Sequence, residues 1–155
     1  MLSSFALPSH LLERCLFHQG PKVENPIFVL YWMRGSIRLD ECPTFDVARL
    51  ISDSLKLPLL VYQGIDERYP HASYRHHRFL MEGAADIANR AEELGVDFLV
   101  HISRDKHREP VLRDLSLQSA IVVTDLMDLN PWKKWTESLT KYNSVIEVDS
   151  SCVLP

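Results

Sequence analysis

The run Ile27-Phe28-Val29-Leu30-Tyr31-Trp32-Met33 is apolar at every position. A helix with one wet face, or a strand with one wet face, would interrupt it with polar residues. Unbroken apolarity over a strand-sized length suits a strand buried on both faces, as in a parallel sheet. The same type of run recurs at Leu59-Leu60-Val61-Tyr62, at Phe98-Leu99-Val100-His101-Ile102 and at Ala120-Ile121-Val122-Val123. A fifth candidate is Val145-Ile146-Glu147-Val148. Helical signals lie between these runs. Phe45, Ala48, Ile51 and Leu55 share one face, and Pro43 suits a first turn. Leu80, Gly83, Ala84, Ile87, Ala91 and Leu94 form a long stripe, which Gly95 closes as a C′ glycine. Asn130-Pro131 reads as an N-cap and N1 pair, followed by a stripe of Trp132, Trp135, Leu139 and Tyr142. Leu112 to Leu117 suits one short helix. Strand and helix in alternation predict βαβ units. The fold expected is therefore a three-layer, Rossmann-like α/β domain with about five mostly parallel strands.

A chain of 155 residues predicts one domain. Residues 1–25 read as an irregular or helical extension and 26–155 as the α/β domain. Within the extension, Leu11, Leu12, Cys15 and Leu16 give His10 to His18 a helical pattern, with Ser9 as N-cap. Gly20, Pro21 and Pro26 then break the chain. Met1 to Leu7 lacks the basic start and long apolar middle of a secretory signal. No apolar run approaches the roughly 18 residues of a membrane span. The balance of 17 basic and 21 acidic residues gives a net charge of −4, without the basic excess of a dedicated nucleic-acid binder. Cys15, Cys42 and Cys152 form no C-x-x-C pair, which suits a reducing cytoplasm. The apolar end Cys152-Val153-Leu154-Pro155 reads as the start of a linker.

Glycine is scarce. Gly20, Gly35, Gly64, Gly83 and Gly95 permit neither G-x-G-x-x-G nor a P-loop. Phosphate cradles need glycine where backbone N–H groups approach an anion. In open parallel sheets, ligands bind beyond the carboxyl ends of strands where strand order reverses. With the first and fourth strands at that point, two loops carry the candidate site. Met33, Arg34, Arg38 and Asp40 belong to one; Thr124, Asp125 and Met127 belong to the other. The two guanidiniums could hold a carboxylate or phosphate. The same residues also suit ordinary surface ion pairs of Arg34 and Arg38 with Asp40, Glu41 or Asp125.

Other constellations point less far. His76 and His77 diverge by about 100° on a helix, and no Cys or carboxylate completes a metal set with His71. Tyr74-Arg75-His76-His77-Arg78 reads as a solvated helix face, and His101 as a satisfied core histidine. Trp132 and Trp135 suit core packing by spacing, with ligand stacking as the alternative. No catalytic set is complete.

Phe28-Val29-Leu30-Tyr31-Trp32-Met33, with Arg34 and Arg38 after it, resembles the opening of the amino-terminal domain of class II DNA photolyases. That family carries a strand ending Y-W-M, a loop R-D-Q-R and an acidic pair, here matched by Arg38 and by Asp40-Glu41. Arg78-Phe79-Leu80-Met81 and Gly83 are similar to the family's long-helix run. Val122-Val123-Thr124-Asp125 and Trp135 resemble its V-V-T-D strand end and following helix. Val148-Asp149 and the closing Val153-Leu154-Pro155 resemble its exit from the domain. The sequence departs from the pattern at Gly35-Ser36-Ile37, at Cys42-Pro43 where the family has Asn-Trp, and at Ser151 where it has a histidine.

The resemblance implies an antenna-type domain that holds a deazaflavin or folate, or docks against a flavin-binding helical domain from the same gene or a separate chain. FAD is not expected on this chain. Repair needs a reduced flavin to pass an electron to a flipped-out pyrimidine dimer, so the isolated chain is not expected to repair DNA. Two alternatives remain open. One is a small nucleotide-binding protein of the stress-protein or electron-transfer-flavoprotein type. The other is a structural homodimer module with a vestigial site.

Overall fold

The computed structural model describes residues 5–68 and 73–151. Its elements run α1 (Ser9–Leu12), β1 (Cys15–His18), β2 (Phe28–Met33), α2 (Pro43–Leu55), β3 (Leu59–Asp66) and α3 (Tyr74–Leu94), then β4 (Asp97–Ser103), α4 (Val111–Ser116), β5 (Ser119–Asp125), α5 (Trp132–Leu139) and β6 (Val145–Val148). The strands form one sheet in the order β1-β6-β5-β2-β3-β4. All neighbours are parallel except β1, which runs antiparallel to β6. This is the α/β, Rossmann-like architecture that the apolar runs predict. Strand order reverses between β2 and β5, the first and fourth of those runs.

Each face of the sheet carries its own apolar cluster, which makes three layers. Val29, Tyr31, Met33, Val61, Val123 and Ile146 pack with Phe45, Ala48 and Ile51 of α2 and Ile87 and Ala91 of α3. On the opposite face Leu30, Trp32, Tyr62, Val122 and Val145 meet Leu139 of α5, with Val111, Leu112 and Leu115 of α4 beside them. Residues 29–31 are fully buried, as a strand covered on both sides requires. Pro43 takes the first position of α2, and Gly95 ends α3 at φ +67°, where a side chain would be strained.

Four expectations are corrected. The helix expected over His10 to His18 exists only at Ser9–Leu12, with Pro8 rather than Ser9 as N-cap. Cys15–His18 is a sixth strand, in register with Val148–Val145. The exposed side of β6 carries unpaired backbone groups, and pairing with β1 satisfies them while setting Cys15 and Phe17 against the core. Second, the run 98–102 is not buried on both faces: β4 is an edge strand, and Leu99 is 38% exposed. Third, α5 starts at Trp132, with Pro131 as its cap residue and no capping side chain, one residue later than Asn130-Pro131 suggests. Fourth, the buried stripe of α5 is Thr136 and Leu139, while Trp135 is 49% exposed and meets Trp132 edge-on. His71 and Cys152 to Pro155 lie outside the described residues.

Candidate functional site

A cleft of about 280 Å3 opens at the strand-order reversal. Its walls are Gly35 and Ser36 after β2, Asp125 to Leu129 after β5, Trp132 at the start of α5, and Ser150 and Ser151 after β6. Leu126, Met127, Leu129 and Trp132 make it largely apolar; Ser36, Ser150, Ser151, Asp125 and Asp128 are its polar residues. Among the described residues, no arginine or lysine lines it.

Asp125 organises the rim. Its Oδ2 accepts three consecutive backbone N–H groups, from Arg34 (3.2 Å), Gly35 (2.8 Å) and Ser36 (3.3 Å). Its Oδ1 accepts the hydroxyls of Thr44 (2.9 Å) and Ser150 (3.1 Å). The residue is 2% exposed. A Cβ on residue 35 would sit 3.2 Å from the Cβ of Asp125, tighter than an ordinary contact, so a side chain there would push on this carboxylate by a few tenths of an ångström. Tyr31 supports the same loop by donating its hydroxyl to the Ser36 carbonyl at 3.4 Å. Burial pushes the Tyr31 hydroxyl well above its ordinary range, and the Asp125 charge acts in the same direction.

Arg34 turns inward. Its Nη2 donates to Glu147 Oε1, to Thr136 Oγ1 and to the Asp125 carbonyl, each at 2.8 Å, and Nη1 donates to the Trp132 carbonyl at 3.1 Å. The guanidinium lies 4.4 Å above the Trp32 ring. Its side chain is 6% exposed, so it is not a surface ion, and it does not line the cleft. Burial draws its pKa down, against Glu147 and Asp125, which favour the charge. Glu147 completes the network: it accepts the Thr136 hydroxyl at 2.8 Å and lies 2.9 Å from His18 Nε2.

The remaining expected site residues scatter. Met33 is buried in the core under α2, and the Thr124 hydroxyl donates to the Trp32 carbonyl inside the sheet. Arg38 is exposed, and Asp40 pairs with Arg90 of α3 at 2.7 Å, which holds its carboxyl below the usual range. Of the seven, Asp125 and Met127 line the cleft. His101 is half-buried, its Nδ1 3.1 Å from the Tyr62 hydroxyl. Among the described residues no three His, Cys, Asp or Glu gather as a metal site would need. Sequence reading missed Thr44, Thr136, Glu147 and Ser150. Only Glu147 left a signal, because a carboxylate inside an apolar strand needs a buried partner.

No family model matches the sequence. Over 130 residues the chain is 31% identical to the deoxyribodipyrimidine photo-lyase of Methanothermobacter thermautotrophicus. Over that stretch the chain is similar to part of a photolyase. The match takes in 83% of this chain and 28% of that protein, so the chain spans under a third of its relative's length. No helix among the described residues is long and apolar enough to cross a membrane.

Proposed function

We propose that this photolyase-related α/β domain is of the antenna type: the cleft between β2 and β5 holds a planar aromatic chromophore, a deazaflavin or a folate, and the domain serves a flavin-binding helical partner in the cytoplasm. The observation that carries this reading is the similarity to a photolyase over most of the chain, in a fold whose ligand position is an open cleft. The lining suits such a group. Trp132, Leu126 and Met127 offer flat and pliable apolar contact, and the Ser36 and Ser150 hydroxyls, bonded to each other at 2.8 Å, keep acceptor capacity for a ring N–H. When bound, the chromophore would supply light absorption. The protein's residues supply shape, exclusion of water and a fixed orientation. The docking part rests on the relation to a longer repair protein, and the finer likeness to class II photolyases on the motifs above.

Nucleotide binding of the stress-protein kind is disfavoured, because the backbone donors that would hold a phosphate are filled by Asp125. The test is titration of the chain with a deazaflavin and with a reduced folate, read by absorbance and by quenching of tryptophan fluorescence. Saturable binding of one of them is expected, weakened about tenfold or more in Trp132→Ala. Absence of binding by both would overturn the chromophore role.

A further inference from the structure

The β2–α2 loop is built as an anion seat, and it is already occupied. Three successive backbone N–H groups converge on one point at 2.8 to 3.3 Å, beside the first turn of α2, whose Thr44 adds a hydroxyl. Such a nest at the carboxyl end of a parallel strand is where α/β proteins hold the phosphate of a ligand. Here the anion is the chain's own Asp125 carboxylate, which is 2% exposed and saturated by five donors. A phosphate entering the cleft would find these five donors already filled. It would also face a buried negative charge, with Asp128 as a second carboxylate on the wall. The Arg34 guanidinium offers no relief: Nη1 and Nη2 bond to Glu147, Thr136 and two carbonyls, Nε is buried, and the residue does not line the cleft.

We propose that Asp125 determines the ligand specificity of this cleft: by acting as a built-in substitute for phosphate, it excludes phosphate-bearing ligands and admits an aromatic ligand whose loop-facing end is uncharged. The proposal rests on the cleft being a ligand site, and it goes further by stating which charge class that site refuses.

Two measurements decide it. The first needs no chromophore. Wild type and Asp125→Ala are compared in phosphate and in chloride at equal ionic strength, by melting temperature and by the amide resonances of Gly35 and Ser36. In wild type, phosphate and chloride are expected to act alike. In the variant, phosphate is expected to raise the melting temperature above the chloride value and to shift those two amides saturably. Saturable phosphate shifts in wild type, or a folded variant that ignores phosphate, would overturn the proposal. The second measurement compares riboflavin with its 5′-phosphate on wild type, and applies also where the alanine variant does not fold. Riboflavin is expected to bind at least about tenfold more tightly. Equal affinity would overturn the proposal while leaving the cleft's role standing. If neither flavin binds, the chromophore reading is weakened and the phosphate comparison alone decides for or against Asp125. An alanine variant that does not fold, together with no flavin binding, counts against the proposal.

Discussion

Glu147 is 5% exposed and sits in the middle of a four-residue strand whose other members are apolar. Its position is tenable because Arg34, Thr136 and His18 all reach it. Taking both charges out of water is costly, and the pair holds only while both members are present. Arg34→Ala is therefore expected to lower unfolding stability by about 3–5 kcal/mol, because it strands a buried carboxylate. The double variant Arg34→Met with Glu147→Leu is expected to recover most of that loss. Urea unfolding of the single and double variants measures both values and their coupling. Tyr62 makes a second residue-level case. Burial lifts its hydroxyl from 10.0 to about 12, so the folded state holds the proton more tightly than the unfolded chain. The stabilisation is complete below pH 10 and is lost as pH rises from 10 toward about 12. Stability is expected to fall through that window in wild type and to stay flatter in Tyr62→Phe, as urea midpoints at stepped pH would show.

The strands were legible in the sequence because double burial removes polar residues from both faces, and that leaves an unbroken apolar signature. Long helices were legible for a related reason: α3 buries Ala84, Ile87 and Ala91 at helical spacing, and Gly95 ends it. Strand β1 was not legible. Leu11, Leu12, Cys15 and Leu16 satisfy a helical spacing, and four residues are too few for alternation to outvote it. What makes Cys15–His18 extended is the free edge of β6, more than a hundred residues away in sequence. A chain beginning at Pro26 is thus expected to lose about 2 kcal/mol or more, through the lost burial of Phe17 and Cys15. It is also expected to self-associate through the uncovered β6 edge. Melting temperature and light scattering of the shortened chain check the two effects separately.

Across the whole molecule, two apolar layers hold a sheet that is closed at one edge by an antiparallel strand and open at the other. The middle strands β2 and β5 are buried along nearly their whole length, as β6 is along all of it, so the loops leaving them are well supported. The cleft lies at those loops, and such support would suit the proposed binding of a flat molecule in one orientation. The relation to a photolyase segment gives that geometry its functional reading, and the reading asks for binding and positioning from this chain.

Sequence alone determined the layer architecture and the mostly parallel strands, because burial on both faces writes itself into residue type; the strand order, and with it the point of reversal, came from the fold. It also pointed to the loop after β5, where Asp125 and Met127 line the cleft. Tertiary structure alone decided what those residues do. Arg34 looked like a surface cation and became a buried tether, because Glu147, Thr136 and two carbonyls converge on it from β6, β5 and α5. Asp125 looked like one acceptor among several, and its role emerged only when the loop after β2 wrapped three N–H groups around it. Convergence of groups far apart in the chain leaves no local pattern, so only the folded arrangement shows it.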